Sequence, residues 1–190
     1  YSDGDKNIII ETAIANLPAI DFKIYTNKDL IVTDKIDNQT LVSYSNKLAE
    51  IILNNIKTKT ETVDEILTDF SSTETNEKAA EVLKRLEPVV SKNKKTITDL
   101  LNLEVPTLFV PEHLNILNSI EEIYESAAVM SGVKQDMVLM IQPLNQYDLS
   151  VQSLSNSRIN IRKKIVSLKI YFGNKDDFGY QLFNVIMLKN

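Results

Sequence analysis

An all-α protein, an elongated bundle of about four helices, is the architecture this sequence predicts, and three observations lead there. The run Met137, Met140, Leu144, Tyr147, Val151, Leu154, Arg158, Ile161, Ile165, Leu168, Phe172 alternates steps of three and four residues, and only Arg158 is not apolar. Residues so spaced stack on one side of an α-helix and present a continuous seam to a partner helix. Helical spacing recurs in earlier segments, and four glycines in 190 residues leave little material for repeated tight hairpins. As one helix the run would be about 54 Å long, so other helices must lie along it.

Taken in order, residues 1–37 read as an N-terminal docking segment. Asp3, Asp5 and Asn7 alternate as calcium-loop ligands do, but the glycine and glutamate that would complete such a loop are both isoleucine, at Ile8 and Ile14. A polar terminus is the plainer reading. An apolar run ends at Pro18, and two β-prone pieces near 22–32 flank Asn27 and Lys28, which suggests a small hairpin.

Residues 38–172 read as the helical bundle. Asp37 or Asn38 caps helix one, about 38–57, with Leu41, Ser45, Leu48 and Ile52 on one face. Thr62 with Glu65 forms a capping box for a short helix to Phe70. Helix two starts near Asn76 and carries Ala79, Leu83, Leu86, Val90, Ile97 and Leu100, interrupted by Asn93; Pro88 predicts a kink near Glu87. Pro106 stops it.

Pro111 suits the first position of helix three, whose seam is His113, Leu117, Ile120, Tyr124 and Ala127 and whose stop is Gly132. The short link that follows makes helices three and four a hairpin spanning about 111–172. Pro143 leaves two arrangements open, one continuous helix or a short helix at about 135–142 followed by a long one. Gly173-Asn174 ends the helix, and period-two alternation predicts an extended tail at 178–188 that could pair with the 22–32 region. One domain is the expectation for this length.

The formal charge of −5, with no basic cluster large enough for a nucleic-acid footprint, disfavours nucleic acid as a partner. The chain has no cysteine, which removes disulfides, thiolate metal sites and a cysteine nucleophile. No glycine-rich phosphate loop and no Gly-x-Ser-x-Gly elbow is present. His113 is the only histidine, so no histidine pair holds a metal. It could act as a base with Glu112, but a histidine in the first turn of an amphipathic helix is more simply a hydrogen-bonded packing residue. No catalytic residue, cofactor or metal ligand is therefore assigned.

Arg158 either meets a carboxylate in a register-setting layer or packs its stem while its head reaches water; the second is the plainer reading. The acid pairs Glu121-Glu122 and Asp176-Asp177 read as solvated surface. Arg158, Arg162, Lys163, Lys164 and Lys169 suit the C-terminal end of a helix dipole. The methionines from Met130 to Met140 read as core filler. Because the first residue is Tyr1, a leader or anchor is expected to have been removed or left out.

Three stretches together carry a resemblance. Asp29-Leu30-Ile31-Val32 followed by Leu41 to Ile51, Val105-Pro106 through Pro111-Glu112-His113 to Asn118-Ser119, and Gln146-Tyr147 resemble a family of uncharacterised helical proteins from the ultra-small bacteria of the candidate phyla radiation (Patescibacteria). The likeness covers about 25–180. The family commonly opens its last helix with aspartate-proline, whereas here Asp136 precedes Met137 and the proline is Pro143. The resemblance implies an extracytoplasmic, membrane-anchored interaction or assembly protein, serving a pilus or secretion apparatus, and supplies no mechanism. It also implies that His113 and Asn118 belong to a structural polar layer between helices; Arg158 is added to that layer from the seam.

The functional expectation is a non-enzymatic extracytoplasmic scaffold that binds another protein or itself, touching the membrane only through an absent N-terminal anchor. The first alternative is a module holding an apolar ligand between helices. The second is a hydrolase centred on His113.

Overall fold

The computed structural model describes residues 20–56, 61–133 and 137–183. The Asp3, Asp5 and Asn7 cluster, the apolar run at 8–17 and residues 184–190 of the expected tail lie outside them. Helices dominate the described residues, as the periodicities predict.

Thr26 and Asp29 close a reciprocal box around a 3-10 turn at Asn27–Asp29. This turn replaces the expected hairpin: the strand after it, β1 (Ile31–Thr33), does not fold back on the residues before the turn. It pairs in parallel with β2 (Glu104–Pro106), in register Ile31 to Glu104, Val32 to Val105 and Thr33 to Pro106. Helix α1 (Asn38–Ile56) is capped by Asp37, whose carboxylate accepts from the Thr40 amide at 2.9 Å and the Thr40 hydroxyl at 2.7 Å. These bonds hold the Asp37 carboxyl below the usual carboxylate range.

Helix α2 (Val63–Ser71) opens on the predicted capping box: the Glu65 amide donates to the Thr62 hydroxyl and the Thr62 amide to the Glu65 carboxylate, at 3.2 and 2.7 Å. Thr75 caps α3 (Asn76–Lys84), and α4 (Glu87–Leu101) begins directly after a break at Arg85 and Leu86. The kink expected at Pro88 is thus a full restart. Pro88 lies in the first turn of α4, where its missing N–H leaves no intrahelical bond unmade.

Helix α5 (Val110–Gly132) and helix α6 (Ile141–Ser167) form the predicted hairpin and pack along each other more extensively than any other pair. A 3-10 turn, Met137–Met140, precedes α6. Pro143 does not break the helix, because it is the third residue, still among the four whose N–H groups have no helical acceptor.

The hairpin ends earlier than the seam predicts, at Ser167 rather than Phe172. The stop is not Gly173 but Lys169, at φ 53°, with the Ile170 amide donating to the Ile165 carbonyl at 3.0 Å and the Lys169 amide to Val166 at 3.1 Å. This is a Schellman arrangement with Ile165 and Ile170 buried together. A left-handed conformation costs a lysine about 1–2 kcal/mol, of which glycine recovers all but its greater unfolded-state entropy of about 0.4–1 kcal/mol. Lys169→Gly is expected to stabilise the protein by about 0.5–1 kcal/mol, read as a higher urea midpoint at unchanged slope.

The last described helix, α7 (Phe178–Phe183), corrects the expected extended tail. Phe178 and Leu182, four residues apart, share a helical face as readily as they alternate in a strand. Docking decides it: α7 packs against α1, and the Gly179 amide donates to Asn46 Oδ1 at 2.8 Å. Its pairing with the 22–32 region is not formed by the described residues, since β1 pairs with β2.

Two apolar clusters result among the described residues. The larger joins α1, α4, the first half of α5, the end of α6 and the 170–183 region around fully buried Phe109, Phe172 and Phe183. The smaller joins Val63 and Ile66 of α2 and Leu83 of α3 to Ala127 and Met130 of α5 and to Met140. The α5–α6 hairpin runs through both.

Candidate functional site

The buried line of α6 keeps to the predicted seam at Ile161 and Ile165, with Leu144, Tyr147 and Leu154 half-buried, and leaves it at Val151 and Arg158, where the residue before each turns inward. Pro143, Ser150, Ser157, Ile161 and Ile165 face inward, whereas Val151 and Arg158 are exposed. Small serines let α5 approach closely and supply partners for its polar residues. The Ser150 hydroxyl donates to Glu122 Oε2 at 2.7 Å, Gln146 Nε2 reaches the same oxygen at 3.2 Å, and the Ser119 and Ser153 hydroxyls meet at 2.8 Å. The predicted layer is corrected at Arg158, which takes no part in it because Ser157 occupies the inward position; Arg158 stands in water, as its plainer reading had it.

Pro111 starts α5 so that His113, one turn in, points at α1 and the end of α4. His113 is fully buried. The Tyr44 hydroxyl lies 3.1 Å from Nδ1 and the Leu100 carbonyl 3.2 Å from Nε2. A carbonyl only accepts, so Nε2 carries the proton and Nδ1 accepts from Tyr44. Burial lowers the imidazole pKa to about 4, and it pushes the Tyr44 phenol well up. The ring is neutral at pH 7 with both nitrogens engaged. Glu112 does not join it: Lys164 Nζ lies 2.7 Å from each Glu112 carboxylate oxygen and 5.7 Å from the Phe109 ring centre. The pairing of His113 with Glu112 that base catalysis would use is absent from this geometry.

Asn118, about a turn and a half further along α5, clamps the N-terminal segment rather than bridging to another helix as the predicted layer had it. Its Oδ1 accepts from the Tyr25 amide at 2.8 Å and its Nδ2 donates to the Tyr25 carbonyl at 3.2 Å, as a neighbouring strand would. The Tyr25 hydroxyl donates to Glu121 at 3.2 Å. Burial, then the Glu121 charge, pushes the Tyr25 phenol up to about 12, and burial raises Glu121 as well. Glu121 and Glu122 are therefore not the solvated pair expected: the first is 5% exposed under Tyr25 and the second is half-buried against α6.

Between the two apolar clusters lies a pocket of about 310 Å³. Ile52, Val63, Ile120, Ile123, Tyr147 and Leu154 form apolar walls, with Lys92, Asn55 and Asn93 at its polar side. Asn55 Nδ2 donates to Asn93 Oδ1 at 3.0 Å and to the Thr96 hydroxyl at 2.7 Å. Asn93 breaking the apolar face of helix two was the signal for this contact, since a polar residue in such a face needs a partner across it. Nothing local signalled the Tyr44 bond to His113 or the pocket itself. Among the described residues no group of three potential ligands is placed to hold a metal, and no helix is long and apolar enough to cross a membrane.

Fold and site together define a mostly helical bundle with a buried tyrosine–histidine layer and a pocket between two cores. No protein-family model matches the chain, and no curated protein or solved structure matches it either.

Proposed function

We propose that this chain is a non-enzymatic helical interaction domain, the exported portion of a membrane-anchored protein, and that the partner of its contact face is a second copy of itself. The observation that carries the reading is the outward face of α6. Leu149, Gln152, Asn156, Ile159, Lys163 and Val166 follow one another at steps of three and four, and all are exposed. The three apolar members are exposed at 59%, 44% and 56%. Ten and seven residues apart, these three share one side of the helix with Gln152, Asn156 and Lys163 between them, and exposed apolar side chains aligned on one helix face are a surface for a partner helix.

Charge selects the orientation. Asp148 lies at the start of this helix and Arg158, Arg162 and Lys163 towards its end. An antiparallel approach keeps the two basic ends apart, and a self-complementary pair of this kind is isologous. The sealed His113 supports the non-enzymatic part of the reading. Export and anchoring, and a place in a pilus or secretion assembly, rest on the family resemblance.

Light scattering with small-angle X-ray scattering tests the reading. A dimer is expected, and Leu149→Glu with Ile159→Glu should convert it to a monomer of unchanged helicity, because each exposed carboxylate would be buried at the contact. A monomer at every concentration overturns self-association; a dimer indifferent to both substitutions overturns the α6 face.

A second reading is favoured by the pocket between the clusters, whose volume falls at the lower end of small-molecule sites. It makes the bundle a carrier for an apolar ligand.

A further inference from the structure

The pocket has one charged side, and its two charged lining groups differ in their partners. Glu61 is engaged by Arg85, whose Nε donates to Glu61 Oε2 at 2.8 Å and whose other nitrogens reach Glu61 and Asp69. Lys92 is half-buried at the same pocket, and among the described residues no carboxylate pairs with it. Burial lowers its pKa, so the ammonium is less well solvated than on an open surface. Asn55 and Asn93 stand beside it, engaged with each other. Apart from Thr62 and the Tyr147 hydroxyl, the rest of the lining is apolar, Ile120, Ile123 and Leu154 among it.

We infer that the pocket takes a small aliphatic monocarboxylate, its head on Lys92 and its chain against α5 and α6; this rests on reading the pocket as a ligand site. The geometry selects that class in two ways. A single cation facing apolar walls complements one negative charge at the end of an apolar body, whereas a dianion or a sugar would leave polar groups unpaired against Ile120 and Leu154. Size is the second: at about 30 Å³ per water-sized unit, the cavity holds about ten non-hydrogen atoms, the size of octanoate. No bond is made or broken.

Titration calorimetry on the full chain with octanoate, 1-octanol and octylammonium separates the carboxylate contact from ligand binding as such. Octanoate is expected to bind, octanol about tenfold more weakly for want of the charge-assisted bond, and octylammonium not measurably. Lys92→Met should lower octanoate affinity about tenfold and leave octanol unchanged. Val151→Trp, at an exposed position on the pocket rim, should weaken both ligands without unfolding the chain. Equal binding of octanoate and octanol, or an octanoate affinity indifferent to Lys92→Met, overturns the carboxylate assignment while the pocket reading stands. Failure of all three ligands to bind overturns the pocket reading itself.

Discussion

His113→Ala is expected to destabilise the protein by about 3–4 kcal/mol at pH 7, from two sources that add. The imidazole is fully buried, so its removal leaves a cavity in the larger cluster. It also strands two groups that now satisfy each other through the ring, the Tyr44 hydroxyl and the Leu100 carbonyl; a buried polar group left unpaired costs about 1–3 kcal/mol. For a chain of this length the loss corresponds to a fall in Tm of about 10 °C. His113→Ala combined with Tyr44→Phe should cost less than the two single losses added, because Tyr44→Phe removes one of the stranded groups. Additive losses would mean that the Tyr44–His113 bond is not formed.

The same residue sets a pH dependence of definite sign. The folded pKa, about 4, lies below the ordinary histidine value of 6.5 because burial disfavours the imidazolium. Between those two values the unfolded chain binds the proton and the folded one does not, so the difference stabilises the unfolded state. The contribution is intact above pH 6.5 and is lost progressively as pH falls towards 4, a change of about 3 kcal/mol at 1.36 kcal/mol per pKa unit. Urea unfolding at pH 7, 5.5 and 4.5 for wild type and for His113→Leu isolates it, since the carboxylates titrate in both. The wild type should lose stability with acid more steeply than the variant; parallel curves would show that His113 is not buried in the neutral form.

What was readable along the chain divides by range. Thr62 and Glu65 form their box because every partner is within one turn, and Pro111 opens a helix because a missing N–H has a local consequence; Pro88 marked a disturbance by the same rule, but read as a kink rather than as the restart it is. The stop at Lys169 was not readable, since a lysine carries no signal for a left-handed residue and the bond that selects it depends on burying Ile170 with Ile165. On α6 the apolar pattern favoured Val151 and Arg158 by their spacing from Leu144, Tyr147 and Leu154. The helix turned Ser150 and Ser157 inward instead: Ser150 donates to Glu122 of α5, and both side chains are small enough to sit between closely packed helices. Long-range pairings were invisible for the same reason. Tyr44 and His113 lie 69 residues apart, and each has an ordinary place in its own helix. β1 found β2 rather than the tail because three-residue strands have too little pattern to name a partner. The site was legible as the residues His113 and Asn118, and illegible as the contacts that give them their state.

Gly179→Ala is the substitution that separates the extended tail read from the sequence from the docked helix α7. In an extended exposed segment the change would be neutral or slightly stabilising, by reducing the freedom of the unfolded chain. In the fold described here a Cβ at Gly179 would run into the Phe172 ring and come 2.8 Å from Asn46 Oδ1, the oxygen that accepts the Gly179 amide. The ring cannot swing clear, because Phe172 is fully buried in the larger cluster. The expected cost is about 2–3 kcal/mol, the upper part of the range for overpacking, with α7 lifting from α1. Phe172→Leu shortens the obstructing side chain and costs about 1–2 kcal/mol alone from the space it leaves. Together the two changes should cost less than their sum, because the new methyl enters that space; a coupling of about 1 kcal/mol in a double-mutant cycle is the expected reading. Simple additivity would mean that Gly179 does not face Phe172 and that α7 is not docked on α1.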